Sequence, residues 1–158
     1  MRILHVLDHS LPLQSGYSFR TRSILLQQHK MGWQTNHVTG LRQGAGEGLE
    51  EVSSGLHFYR TPEATGFFAS LPVFGQLAAI SALESRIEEL ALELKPDIIH
   101  AHSPALNGVA AVRVGKRLSI PVVYEIRAFW EDAAVSHGTS MVGGPRYLLT
   151  RWLESWVI

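Results

Sequence analysis

The sequence predicts an α/β protein built on a mostly parallel sheet with helices on both faces. Short apolar runs, beginning with residues 2–8, alternate along the chain with segments whose apolar residues recur at helical spacing. Strands that alternate with helices are typical of parallel sheets, because each crossover between parallel strands is made by a helix. Several of the apolar runs also end in polar residues, as in the segment DIIHAHSP at 97–104.

Three strands and one helix are predicted in the first half of the chain. Residues 2–8 form the first strand, and residues 18–31 form a helix that stops at the glycine that follows. Residues 34–39 and 56–60 give the second and third strands, with a glycine-rich turn at 44–48 between them.

The second half contains the clearest helix, residues 76–95, whose apolar residues recur at steps of three and four with glutamates between them. Residues 97–102 follow as a strand, residues 106–118 as a helix and residues 120–126 as a strand. From Pro145 onward the pattern is helical again.

Composition excludes several classes of protein. The length of 158 residues suits one domain, and the balance of 14 basic and 14 acidic residues argues against a basic face for nucleic acid. The chain has no cysteine, so it offers no disulfide and no thiolate metal site. The first residues are too polar for a signal peptide, and no apolar stretch is long enough to span a membrane. We therefore expect a cytoplasmic protein.

Polar residues at the ends of three predicted strands mark the candidate site. Ligands of open α/β sheets bind beyond the carboxyl ends of the strands, so these side chains are expected to meet at one crevice. The residues are Asp8, His9, Ser10, His102, Ser103, Glu125 and Arg127.

The pair His100 and His102 shares one face of a regular strand. A zinc site can use this spacing, but it needs a further ligand, and no carboxylate stands at a matching distance along the sequence. We therefore predict no metal and no cofactor. His100 is expected to be half-buried and hydrogen-bonded to backbone, and His102, nearer the strand end, is the better site candidate.

Three further features have alternative interpretations. Gly16 precedes a helix, where it could let the backbone approach an anion such as a diphosphate or could serve a turn with positive φ. Arg127 could bind a phosphate or carboxylate, or it could form a structural ion pair. Phe129 and Trp130 could stack on a sugar or fill a core. The dinucleotide fingerprint, the P-loop and the nucleophile elbow are absent.

Three segments in order, residues 2–21, 95–104 and 120–134, resemble the N-terminal domain of GT-B glycosyltransferases of family four, especially bacterial exopolysaccharide members of the exosortase-associated type. The resemblance implies a Rossmann-like three-layer domain over residues 1–158. It also implies a retaining, hexosyltransferase-type enzyme that transfers a sugar from a nucleotide-diphosphate sugar to a lipid-linked or saccharide acceptor.

By this resemblance the chain is the acceptor-side half of the enzyme, and we expect it to be inactive alone. The paired glutamates of the family's nucleotide-sugar-binding domain are absent, and the chain stops inside an apolar helical pattern, which favours a missing C-terminal domain. The alternatives are a non-catalytic α/β binding or interaction module and, more weakly, a nucleotide-sugar epimerase of GT-B shape. An apolar loop at 62–75 suggests contact with a lipid acceptor or the membrane face, although packing on the core is the simpler interpretation.

The chain departs from the family's pattern at two positions. Arg127 stands where many relatives have a histidine after the fifth predicted strand, so that histidine's role cannot be transferred to this position. Ser15 replaces the usual partner of the loop glycine, Gly16. The candidate residues of the cleft are therefore Ser15, Gly16, His102, Ser103, Glu125 and Arg127.

Overall fold

The computed structural model describes residues 1–43, 48–62, 72–127 and 144–158, without the side chains of 72–74 and 145–146. Within these ranges a six-stranded sheet has the order β3-β4-β2-β1-β5-β6. Only the hairpin pair β3 and β4 is antiparallel. The strands are β1 Arg2–Leu7, β2 Gln34–Thr39, β3 Glu50–Ser53, β4 Leu56–Arg60, β5 Ile98–His102 and β6 Val122–Glu125.

The described residues form four α-helices, which connect or follow these strands. They are α1 Gly16–Lys30, α2 Pro72–Leu94, α3 Ala105–Leu118 and α4 Pro145–Val157, and a 3-10 turn spans Leu41–Gln43. None of the described helices is both long and apolar enough to cross a bilayer.

The predicted mostly parallel sheet is confirmed, and the differences from prediction lie at the ends of elements. Helix α1 begins two residues early, because the Ser15 side chain caps it. Helix α2 begins at Pro72, inside the segment predicted as a loop, since proline is favourable in the first turn of a helix. The rest of that loop, residues 63–71, lies outside the described residues. Strand β3 was not predicted.

Alternation along β1 divides the core into two layers. Leu4 and Val6 belong to the larger cluster, which contains buried residues of α2 and α3. Leu7 belongs to a smaller cluster with Leu25 of α1 and Phe58 of β4. His5 is also completely buried, and its ring contacts Gln28 of α1, so this polar group lies on the side of the sheet that α1 covers.

Candidate functional site

The carboxyl ends of β5 and β6 are tied together by two hydrogen bonds. The backbone N–H of Ser103 donates to the carbonyl of Glu125 at 2.9 Å. The backbone N–H of Arg127 donates to Oγ of Ser103 at 3.0 Å. Three of the residues predicted for the cleft are therefore adjacent at one edge of the sheet.

The start of α1 lies beyond the end of β1 at the same edge. Oγ of Ser15 accepts a hydrogen bond from the N–H of Ser18 at 3.0 Å, and it lies 2.7 Å from Nε2 of His9. Gly16 does not have positive φ, so the turn interpretation is wrong. A Cβ added there would meet no atom of the described residues within 4 Å, so among them the space beside this backbone is open.

Arg127 reaches from β6 to α1. Its Nη1 donates to Oγ1 of Thr21 at 2.7 Å and to the carbonyl of Tyr17 at 3.3 Å. The guanidinium carbon lies 4.3 Å from the centre of the Tyr17 ring, a cation–π contact. Burial lowers the pKa of Arg127 and raises the pKa of Tyr17, because both charged forms lose hydration here.

Glu125 is at the centre of this polar cluster. Its Oε1 accepts a hydrogen bond from Nη2 of Arg20 at 2.9 Å and lies 3.3 Å from Nε of Arg127. Its Oε2 lies 3.0 Å from Nδ1 of His102 and 3.3 Å from Nε2 of His100. The contact with His102, followed by the charges of His102 and Arg127, lowers the pKa of Glu125 to about 2, although burial opposes the shift. Glu125 is therefore a carboxylate at neutral pH.

A row of histidines runs from this carboxylate into the sheet. His5 stands opposite His37 on β2 and opposite His100 on β5. Nδ1 of His5 lies 2.9 Å from Nε2 of His102, and Nε2 of His5 lies 2.9 Å from Oε1 of Gln28. Burial lowers the pKa of His102 and of His37 to about 4, and it lowers the pKa of His5 well below its usual value. The buried rings are neutral at pH 7.

The proton positions in this row follow from its two ends, Gln28 and Glu125. If Oε1 of Gln28 accepts from His5, then His102 must donate to His5, and its Nδ1 presents a lone pair to the carboxylate of Glu125. Exchanging the oxygen and nitrogen of the Gln28 amide removes this repulsion. The amide then donates to His5, His5 donates to His102, and His102 carries its proton on Nδ1, which lies 3.0 Å from the carboxylate of Glu125 without meeting the geometry of a hydrogen bond. We assign this arrangement to the neutral network.

The same residues correct two expectations about histidine. His100 contacts the carboxylate of Glu125 rather than backbone. A third imidazole and a carboxylate, which a zinc site would need, do stand nearby: potential ligand atoms of His5, His100 and His102 lie within 4.8 Å of one another. The stacked rings of His100 and His102, however, are 4.2 Å apart and inclined by 24°, so their in-plane lone pairs do not converge on one point. We interpret the cluster as a hydrogen-bonded network.

Sequence reasoning missed the residues that hold the candidates in place, namely Tyr17, Arg20, Thr21, Gln28 and His5. A histidine in the middle of an apolar strand was the one visible signal, and its partner could be found only from the strand register. Phe129 and Trp130 lie outside the described residues. His102 is fully buried, so it acts on the edge of the sheet through its contact with Glu125.

The parallel sheet, its flanking helices and the polar edge define a Rossmann-like three-layer domain of the kind found in GT-B glycosyltransferases. The sequence profile of the glycosyl transferase 4-like domain matches residues 15–158. The chain therefore belongs to the glycosyl transferase 4-like family.

Solved structures share the fold at low identity. Sucrose-phosphate synthase from Thermosynechococcus elongatus has a TM-score of 0.68 at 11% identity over 99% of this chain. UDP-GlcNAc 2-epimerase from Neisseria meningitidis, bound to UDP-GlcNAc, has a TM-score of 0.52 at 14% identity over 78%. A C-terminal domain of a Pyrococcus furiosus hydrogenase has a TM-score of 0.53 at 14% identity over 78% of this chain and 90% of its own. Three different activities on one fold mean that these likenesses show the fold alone.

The chain spans 39% of the length of the synthase and 31% of that of the epimerase. No curated protein sequence is similar enough to count as a relative.

Proposed function

We propose that this chain is the N-terminal, acceptor-side domain, residues 1–158, of a retaining glycosyltransferase of hexosyltransferase type. The whole enzyme transfers a sugar from a nucleotide-diphosphate sugar to a lipid-linked or saccharide acceptor in bacterial exopolysaccharide synthesis, at the cytoplasmic face of the membrane. The observation that carries the proposal is the polar edge of a domain with this family's sequence profile, where Arg127 contacts Ser103, Glu125 and helix α1, the helix that Ser15 caps.

The geometry assigns complementary tasks to these residues. The open space beside Gly16 lets a substrate approach the first turn of α1, whose N–H groups and dipole favour an anion. Arg127, which contacts the carbonyl of Tyr17, and Arg20, on α1 itself, supply positive charge near that turn, and Oε1 of Glu125 lies between the two guanidinium groups. Positioning and charge stabilisation are the contributions that such a half-site can make to transfer.

The test compares the full-length enzyme with the 158-residue chain, using labelled nucleotide sugar and a membrane extract as the source of acceptor. We expect transfer by the former, and weak nucleotide binding without transfer by the latter, because the second domain supplies most donor contacts. Turnover by the pure 158-residue chain would contradict the half-enzyme proposal.

A variant that fills the open space tests the edge itself. Gly16→Val places a side chain where nothing lies within 4 Å, so it should fold normally while it lowers kcat/KM for transfer at least tenfold. Ser23→Val, at an exposed position of the same helix, is the matched control. Equal activity of both variants would remove Gly16 from the site.

We also propose peripheral membrane contact through the apolar segment that precedes α2. Sequence alone supports this, through Phe67 and Phe68 and the single charge, Glu63, within residues 62–75. Phe67→Ser with Phe68→Ser in the full-length enzyme should weaken vesicle binding and transfer to a lipid-linked acceptor. A folded double variant with both quantities unchanged would leave the segment without a lipid role.

A further inference from the structure

The guanidinium of Arg127 is held by one of its three nitrogens. Nη1 donates to Thr21 and to the carbonyl of Tyr17, and the ring of Tyr17 covers one face of the group. The side chain is 4% exposed. Within the part of the chain that the structure describes, the buried Nε and Nη2 have no hydrogen-bond partner.

Nε and Nη2 are the pair of nitrogens that forms the side-on fork of a guanidinium. Their N–H bonds point in one direction, in the spacing that matches the two oxygens of a carboxylate or a phosphate. Oε1 of Glu125 lies 3.3 Å from Nε, but its position does not meet the geometry of a hydrogen bond, and the same oxygen already accepts from Arg20 at 2.9 Å. Glu125 therefore does not fill the fork.

Among the residues that the structure describes, the charges around the fork leave a positive excess. Arg20 and Arg127 share the single carboxylate of Glu125, and burial keeps the neighbouring ring of His102 neutral at pH 7. A buried guanidinium with two unpaired donors is costly unless an anion joins it. The cluster reaches solvent through Arg20, whose side chain is 55% exposed.

We propose that Arg127 is an oxyanion-binding residue that takes a carboxylate or phosphate group of the sugar substrate in its Nε–Nη2 fork. The identification of the ligand as a sugar substrate rests on the proposed function, whereas the oxyanion site itself does not. Thr21 and Tyr17 orient the fork, Oε1 of Glu125 accepts its hydrogen bond from Arg20, and the space beside Gly16 lies at the same edge. The two sources of such a group are the phosphates of a nucleotide or lipid diphosphate and the carboxylate of an acidic sugar.

The experiment follows the side-chain Nε–H signal of Arg127 in ¹H–¹⁵N spectra of the 158-residue chain. Pyrophosphate represents the phosphate source, glucuronate represents the acidic sugar, and methyl glucoside is the neutral control. At least one anion should shift the signal with saturation, and the neutral sugar should not. Tenfold tighter binding of one anion identifies the source, and equal binding supports the fork without a preference. An Nε–H signal that neither anion moves at millimolar concentration overturns the proposal.

Variants separate the fork from mere positive charge. Arg127→Lys keeps the charge but has no fork, so it should weaken binding of the anion at least tenfold, the loss expected for one charged hydrogen bond. Because this variant lacks the guanidinium Nε–H, its binding is followed through the backbone amide signal of Thr21. Arg22→Gln is the control, because it removes a charge from an exposed position of α1. It should bind the anion as the unmodified chain does. Equal weakening by both variants would mean nonspecific attraction and overturn the site. Anion binding at Arg127 together with a full-length enzyme that transfers no sugar would refute the proposed function alone.

Discussion

Acidification should destabilise the domain well above the pH at which its carboxylates are protonated. His37 and His102 are buried, and burial lowers the pKa of each from 6.5 to about 4. In the unfolded chain both rings return to their usual pKa. The unfolded state therefore binds more protons between pH 6.5 and 4, so stability is complete above this range and falls as pH decreases through it.

The magnitude follows from the two pKa values of each ring. Between pH 7.5 and 5.0 each histidine removes about 2 kcal/mol from the free energy of unfolding, so the pair removes about 4 kcal/mol. His5 acts in the same direction, because its pKa is also lowered. Glu125 stays nearly constant over this interval: its pKa is lowered from 4.5 to about 2, so its contribution is present above 4.5 and is lost only as pH falls toward 2. A loss of about 4 kcal/mol is a large part of the stability of a small domain.

Urea unfolding at pH 8.5, 7.5 and 5.0 measures the effect directly. The free energy of unfolding should be nearly equal at the two higher values and much lower at pH 5.0. In His102→Gln the difference between pH 7.5 and 5.0 should shrink by about 2 kcal/mol, whatever the variant's absolute stability. If the free energy of unfolding of the unmodified chain changed by less than about 1 kcal/mol between pH 7.5 and 5.0, the histidines would be protonated in the folded state as well. This result would refute neutral buried histidines.

Two other predictions concern packing and a helix end. Gly115→Ala should lower the free energy of unfolding by about 1–3 kcal/mol, because the new Cβ would lie 2.8 Å from the carbonyl oxygen of Ile120. Gly16→Ala is the control: its Cβ meets open space, so it should be neutral or slightly stabilising. Equal effects of the two variants in urea unfolding would contradict this prediction. Glu154→Gln should cost about 1–3 kcal/mol, because its carboxylate accepts from the N–H of Ala105 at 3.2 Å and from the hydroxyl of Tyr124 at 2.6 Å; an unchanged urea midpoint would count against these bonds.

The order of elements was predictable because hydrophobic periodicity is a local signal. The segment around Leu83, Ile87 and Leu90 shows it most clearly, and these residues are buried in the larger core cluster. Strand β3 was not predictable in this way: Val52 is the one apolar residue of Glu50–Ser53, and pairing with β4 makes the strand. Its hydrogen bonds come from a partner that periodicity does not reveal.

The edge of the sheet was predictable, but the contacts there were not. Strand order and the carboxyl-end rule bring His102, Ser103 and Glu125 to one side. The spacing of the two histidines could not show that His5 pairs with His102 across the sheet, since that pairing depends on the register of β1 against β5. The same limit applies to Arg127, whose partner Thr21 lies more than 100 positions away in sequence.

The carboxylate of Glu154 has a consequence for how a substrate lies on the domain. Helices α1 and α3 both begin at the carboxyl edge, yet the start of α3 receives a counterion from α4, while α1 has a serine cap and no acidic residue in its first turn. The attraction that a helix start exerts on anions is thus cancelled at one helix and retained at the other. We therefore expect an approaching anionic molecule to be attracted more strongly to the start of α1 than to that of α3.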